Sequence, residues 1–201
     1  CPLGYYAPNT IMGPCFACPN GKSSLHPGAE SIDECTSCRN GQYQSIVSGN
    51  LRCEICPAGY YQIISGQPVC TACQIGTYLT QDNSNPNDHT LMTQCLPCQR
   101  GRSFSNIVTE CPVCQSGRYQ SKVTDDGRNC SLCPAGFSLN DDHMYPSHHD
   151  NNNDCVPCLS GFYSPPGSAS CSDCPRGWKQ NPEKTTSSPD VCLACTIGKF
   201  A

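Results

Sequence analysis

Apolar residues along this chain fall in short runs at fixed places between cysteines, and no segment keeps a 3.6-residue apolar period. The pattern therefore predicts almost no helix. Residues 53–70 (Cys-Glu-Ile-Cys-Pro-Ala-Gly-Tyr-Tyr-Gln-Ile-Ile-Ser-Gly-Gln-Pro-Val-Cys) hold one complete unit. A Cys-x-x-Cys doublet is followed by x-x-Gly-x-aromatic, a short apolar run, a Gly-centred turn and the first cysteine of the next doublet. Residues 43–47 and 51–53 read as the arms of a short hairpin about Ser48-Gly49-Asn50. Comparable turns stand at Ser65-Gly66-Gln67, Asp125-Asp126-Gly127 and Pro165-Pro166-Gly167.

The unit recurs along the whole chain, with ten doublets: Cys15/Cys18, Cys35/Cys38, Cys53/Cys56, Cys70/Cys73, Cys95/Cys98, Cys111/Cys114, Cys130/Cys133, Cys155/Cys158, Cys171/Cys174 and Cys192/Cys195. Cys1 stands alone but carries the same downstream signature, Gly4 and Tyr6. Glycine follows at the third position in every copy: Gly4, Gly21, Gly41, Gly59, Gly76, Gly101, Gly117, Gly136, Gly161, Gly177 and Gly198. An aromatic stands two residues later at Tyr6, Tyr43, Tyr61, Tyr78, Tyr119, Tyr163 and Phe200, and is displaced by one at Phe104, Phe137 and Trp178. Such self-similarity defines a repeat array. The glycine suits a tight turn needing positive φ or close backbone approach, and the aromatic is positioned to cover a disulfide.

Doublet spacings run 20, 18, 17, 25, 16, 19, 25, 16, 21. The order 25, 16, then 19 or 21 occurs twice, which predicts three-unit super-repeats of about 60 residues over 70–195. The long members carry polar inserts at 81–89 and 140–154, expected to project from one face. The predicted fold is small, disulfide-rich and all-β or irregular. It is a linear solenoid of short β-hairpin modules, one continuous array of about ten repeats over 1–201 cut from a longer chain. Folded modules at a third to a quarter of the ~3.4 Å per residue of extended chain make a rod on the order of 150–200 Å.

Composition supports this reading. Of 201 residues, 21 are Cys, while Leu, Ile, Val and Phe together number 31. That is too little apolar surface for one large core, and cysteine at this density marks a disulfide scaffold. With 12 Lys and Arg against 16 Asp and Glu, the net charge of −4 argues against nucleic acid and anionic membrane surfaces as partners. No apolar run approaches the ~18 residues of a membrane span.

Two disulfide connectivities fit. In the ladder, each second doublet cysteine closes on the first of the next doublet: Cys1–Cys15, Cys18–Cys35, Cys38–Cys53, Cys56–Cys70, Cys73–Cys95, Cys98–Cys111, Cys114–Cys130, Cys133–Cys155, Cys158–Cys171 and Cys174–Cys192, leaving Cys195 unpaired. In the crossed scheme adjacent doublets pair two by two, as in Cys15–Cys35 with Cys18–Cys38, leaving Cys1 alone. The ladder is preferred because it explains the signature after Cys1. A third reading takes the doublets as four-cysteine zinc sites. Against it stand the unbroken register and the acidic balance.

The motif Cys-x-x-Cys-x-x-Gly-x-Tyr, clearest at Cys56-Pro-Ala-Gly59-Tyr-Tyr61 and Cys133-Pro-Ala-Gly136-Phe137, resembles the ephrin-receptor-like cysteine-rich repeat. It is also similar to the first module of tumour-necrosis-factor-receptor cysteine-rich domains, although the alternation with a two-disulfide module seen in that family is absent. The resemblance implies an elongated, extracellular, stapled rod of the kind found in multi-domain surface and matrix proteins.

Other candidates are few. Asp141, Asp142, His143, His148, His149, Asp150 and Asp154 collect metal-binding residue types but match no calcium-loop spacing. They read as a solvated polar loop, as do Asp82 to His89, so neither metal nor cofactor is expected. Asn129-Cys130-Ser131 is the one Asn-x-Ser/Thr sequon, which makes Asn129 the glycosylation candidate. Thr185-Thr186-Ser187-Ser188-Pro189 is a candidate O-glycosylation patch read as a plain loop. No nucleophile arrangement surrounds any histidine, and no enzyme is expected. Three functions remain: an extracellular structural protein (filament subunit, stalk or spacer) that self-associates, a receptor or adhesion ectodomain binding a protein ligand, and a zinc array.

Overall fold

The repeat glycine sets each module's geometry. In a computed structural model describing residues 1–8, 13–81, 84–123, 129–141, 143–180 and 192–195, the glycines from Gly4 to Gly177 have φ between +74° and +93°. That left-handed turn sends the chain back on itself, and the next two residues pair antiparallel with the middle residues of the following doublet. Tyr5–Tyr6 pairs with Phe16–Ala17, Tyr60–Tyr61 with Thr71–Ala72, Arg118–Tyr119 with Ser131–Leu132, and Phe162–Tyr163 with Ser172–Asp173. The glycine carbonyl completes each hairpin by accepting from the second cysteine of that doublet: Cys18 to Gly4 at 2.8 Å, Cys56 to Gly41 at 2.9 Å, Cys133 to Gly117 at 2.8 Å, Cys174 to Gly161 at 2.8 Å.

The sheets are all two-stranded, and the described residues contain no α-helix, only 3₁₀ turns such as Pro86–His89 and Pro146–His148. The longest hairpin pairs Gln42–Val47 with Asn50–Ile55. Its turn residues Ser48 (φ 50°) and Gly49 (φ 76°) are both left-handed, the geometry that suits the twist of a tight hairpin. The fold class is thus small, disulfide-rich and all-β or irregular. The Asp125-Asp126-Gly127 turn, Gly198 and Phe200 lie outside the described residues.

Ten disulfides join Cys1 to Cys15, Cys18 to Cys35, Cys38 to Cys53, Cys56 to Cys70, Cys73 to Cys95, Cys98 to Cys111, Cys114 to Cys130, Cys133 to Cys155, Cys158 to Cys171 and Cys174 to Cys192. Cys195 is free. Each loop closure contributes about 3 kcal/mol in the chain-entropy model. Sulfurs held in S–S bonds are not thiolates and cannot ligate zinc, so the four-cysteine zinc array is overturned.

The chain divides into two compact units, residues 1–96 with 106–110 and residues 97–105 with 111–201. Within the first unit, the repeat glycine N–H donates to the residue three places after the next module's glycine. Gly41 reaches the Gln62 carbonyl and Gly59 the Leu79 carbonyl, both at 2.8 Å. Gly4 reaches Ser24 Oγ at 2.7 Å and Gly21 reaches Gln44 Oε1 at 3.2 Å. The second unit uses the same bonds: Gly101 to the Gln120 carbonyl (2.9 Å), Gly117 to Leu139 (2.8 Å) and Gly136 to Ser164 (2.9 Å). These accepting positions bury the polar residues Ser24, Gln62, Gln120 and Ser164.

The glycines also admit the module beyond the next. A methyl group on Gly21 would overlap the Gly66 carbonyl, on Gly41 the Pro86 carbonyl, on Gly101 the Pro146 carbonyl and on Gly117 the Gly167 carbonyl. Apolar burial is local. Tyr61 and Leu79 cluster with Cys73 and Cys95, and Ile107 packs against them. Leu139 clusters with Cys133 and Cys155, flanked by Tyr119 and Phe137. Tyr61 and Tyr119 therefore join the disulfide cluster of the following module rather than their own.

Candidate functional site

Each of the two long inserts buries one histidine, while most of its other described residues are exposed. In the first unit, His89 ends the 3₁₀ turn Pro86–His89 and is fully buried. Its Nδ1 lies 2.8 Å from the Tyr60 carbonyl, and its own carbonyl accepts the Gln62 N–H at 2.8 Å. In the second unit, His149 follows the turn Pro146–His148 and is equally buried. Its Nδ1 lies 2.7 Å from the Arg118 carbonyl, and its carbonyl accepts the Gln120 N–H at 2.8 Å. A buried backbone carbonyl left unpaired costs about 1–3 kcal/mol. Each imidazole satisfies one while filling the space beneath its insert. The solvated-loop reading therefore fails at His89 and His149, because their partners are main-chain groups of the preceding module.

Around His149 the second unit adds further chemistry. His149 Nε2 lies 2.8 Å from Asp141 Oδ1. The His143 N–H donates to the same oxygen at 3.0 Å, and the His143 ring stacks on His149 with centroids 6.1 Å apart. His143 itself has φ 57°, an uncommon left-handed conformation for a residue with a side chain. His143 Nδ1 stands 3.7 Å from Asp141 Oδ1, and His148 Nδ1 stands 3.7 Å from Asp141 Oδ2. Asp141 is largely buried, with 12% side-chain exposure, and its Oδ2 has no hydrogen-bond partner. Burial pushes its carboxyl upward, but the His143 N–H and the adjacent His149 and His143 imidazoles outweigh this and hold it below the usual carboxylate range.

Of the seven residues singled out in this insert, the structure brings together Asp141, His143 and His149, with ligand atoms all within 4.8 Å of one another. His148 stands at the rim. Asp154 serves the local backbone instead, where its Oδ2 accepts the Asn151 N–H at 2.9 Å and caps the turn Asn152–Asp154. Asp150 is not in the group, and Asp142, Asp82 and the Thr185–Pro189 patch lie outside the described residues. Asn129 is exposed beside the disulfide-bonded Cys130.

A family model described as tyrosine-protein kinase ephrin type A/B receptor-like matches residues 1–35, 32–66 and 41–89. The matched stretch, residues 1–89, is similar to an ephrin-receptor-like cysteine-rich repeat array. No curated protein matches the chain. No helix among the described residues is long and apolar enough to cross a membrane.

Proposed function

We propose that the chain is an extracellular structural segment: a stalk, spacer or filament subunit that holds distance and presents surfaces. The observation that carries this reading is the way neighbouring modules join within each unit. Gly41 to Gln62 and Gly101 to Gln120 are main-chain bonds, with counterparts at Gly59, Gly117 and Gly136, and each module is closed by its own disulfide. Backbone bonds between stapled modules resist bending and tolerate wide surface variation, as a load-holding segment requires. Ten disulfides belong to an oxidising compartment, and a match to a receptor-like repeat family supports the same location. Self-association is part of this reading, with Cys195 available for a link to another chain. Asn129 is its one candidate for N-glycosylation.

That family match favours a second reading, a receptor or adhesion ectodomain that binds a protein ligand. Electron microscopy of native, unreduced material separates the two. Regular fibres or lateral arrays are the expected result. Isolated monomers that bind a protein ligand stoichiometrically would overturn the structural reading in favour of the ectodomain.

A further inference from the structure

Both ring nitrogens of His149 face oxygen atoms. Its Nδ1 points at a carbonyl oxygen 2.7 Å away, so that nitrogen carries the hydrogen and donates it. Its Nε2 faces Asp141 Oδ1 at 2.8 Å. That separation is the length of a hydrogen bond carried by one proton, and an ion with bonds of about 2.0–2.2 Å to both atoms would hold them farther apart. A proton would satisfy that one pair. It would leave Asp141 Oδ2 shielded from water and unpartnered, with the His143 and His148 rings still turned toward the carboxylate.

We propose that Asp141, His143 and His149 bind one divalent transition-metal ion of the zinc or copper class. Two imidazoles and a carboxylate form a donor set suited to these borderline ions and not to calcium or magnesium, which take oxygen ligands. The Arg118 carbonyl on Nδ1 orients the His149 ring with Nε2 toward Asp141, the outer-shell arrangement found behind metal-bound histidines. His143 is 48% exposed, so the site opens to solvent on one side and leaves a position for water. The repeat supplies its own control. By sequence alignment of the equivalent insert in the first unit, Gln81 corresponds to Asp141, Asn83 to His143, Pro86 to Pro146 and His89 to His149. The buried histidine thus belongs to the fold, and the added Asp and His do not. A bound ion ties the 140–154 insert to the preceding hairpin through His149 and Arg118.

The test is a Zn²⁺ titration of the 201-residue, disulfide-intact chain after treatment with EDTA, followed by calorimetry and by the ring ¹⁵N resonances of His149. The expected result is one Zn²⁺ per chain with a shift at Nε2. His143→Ala and Asp141→Gln are each expected to weaken binding more than tenfold, while His26→Ala, an exposed histidine elsewhere, leaves it unchanged. Absence of saturable binding, binding undiminished in His143→Ala and Asp141→Gln, or an unmoved Nε2 resonance would overturn the site and leave a proton bridge between His149 and Asp141.

Discussion

The loop closed by Cys73–Cys95 and the loop closed by Cys133–Cys155 span the same sequence separation of 22, and each buries a histidine under the same main-chain cage. In one, His89 meets the Tyr60 carbonyl and Pro86 covers Gly41; in the other, His149 meets the Arg118 carbonyl and Pro146 covers Gly101. They differ in sequence at two insert positions: Asp141 and His143, which stand beside the His149 ring, align with Gln81 and Asn83 of the first loop. What the loops share is therefore the requirement of the fold, and what separates them is the candidate chemistry.

The comparison breaks most severely at the staples. Replacing Cys73 and Cys95 together with Ser, or Cys133 and Cys155 together, is expected to cost about 3 kcal/mol in each case. Local hydrogen exchange at Leu79 and Leu139 should show the loss confined to the altered loop and its neighbours. Next come the glycines beneath the inserts. Gly41→Ala and Gly101→Ala should each cost about 2 kcal/mol or more, from the left-handed backbone alone and then from overlap with Pro86 or Pro146. Similar losses in both would mark the cage as common to the two loops. A loss in only one would separate them. His89→Ala and His149→Ala follow at about 1–2 kcal/mol, by orphaning the Tyr60 and Arg118 carbonyls, read by the same exchange measurement. The smallest effect on stability belongs to Asp141→Gln, which copies the other loop and should change it by less than about 0.5 kcal/mol. Thermal unfolding of the metal-free chain checks this, and a large loss would make the carboxylate part of the fold.

The hairpins were legible because their determinants are local. Gly three residues past a cysteine, an aromatic beyond it and Ser48-Gly49 at a turn each act within a few residues, so sequence spacing carries them. The histidines were not legible, because their partners are backbone carbonyls 29 and 31 residues away that leave no mark on side-chain identity. A signal was nevertheless present. Both inserts read Pro-x-x-His, Pro86 to His89 and Pro146 to His149, with the histidine the same distance before Cys95 and Cys155. The position three places after the repeat glycine is a weaker signal: Ser24 Oγ and Gln44 Oε1 accept from the preceding glycine with their side chains, but at Gln62, Gln120 and Ser164 the acceptor is the main-chain carbonyl, which Leu79 and Leu139 supply equally. The tyrosines were expected to cover a disulfide. That Tyr61 and Tyr119 join the next module's cluster could not be read from sequence, because it depends on how modules stack.

Stepwise partial reduction of the native chain, with alkylation and mass mapping of each released pair, tests the module plan most directly. Closed loops such as Cys38–Cys53, Cys73–Cys95 and Cys133–Cys155 are the pairs this architecture requires, with Cys195 alone alkylated before any reduction. Recovery of Cys15 joined to Cys35 and Cys18 joined to Cys38, or of free thiols along the array, would contradict it.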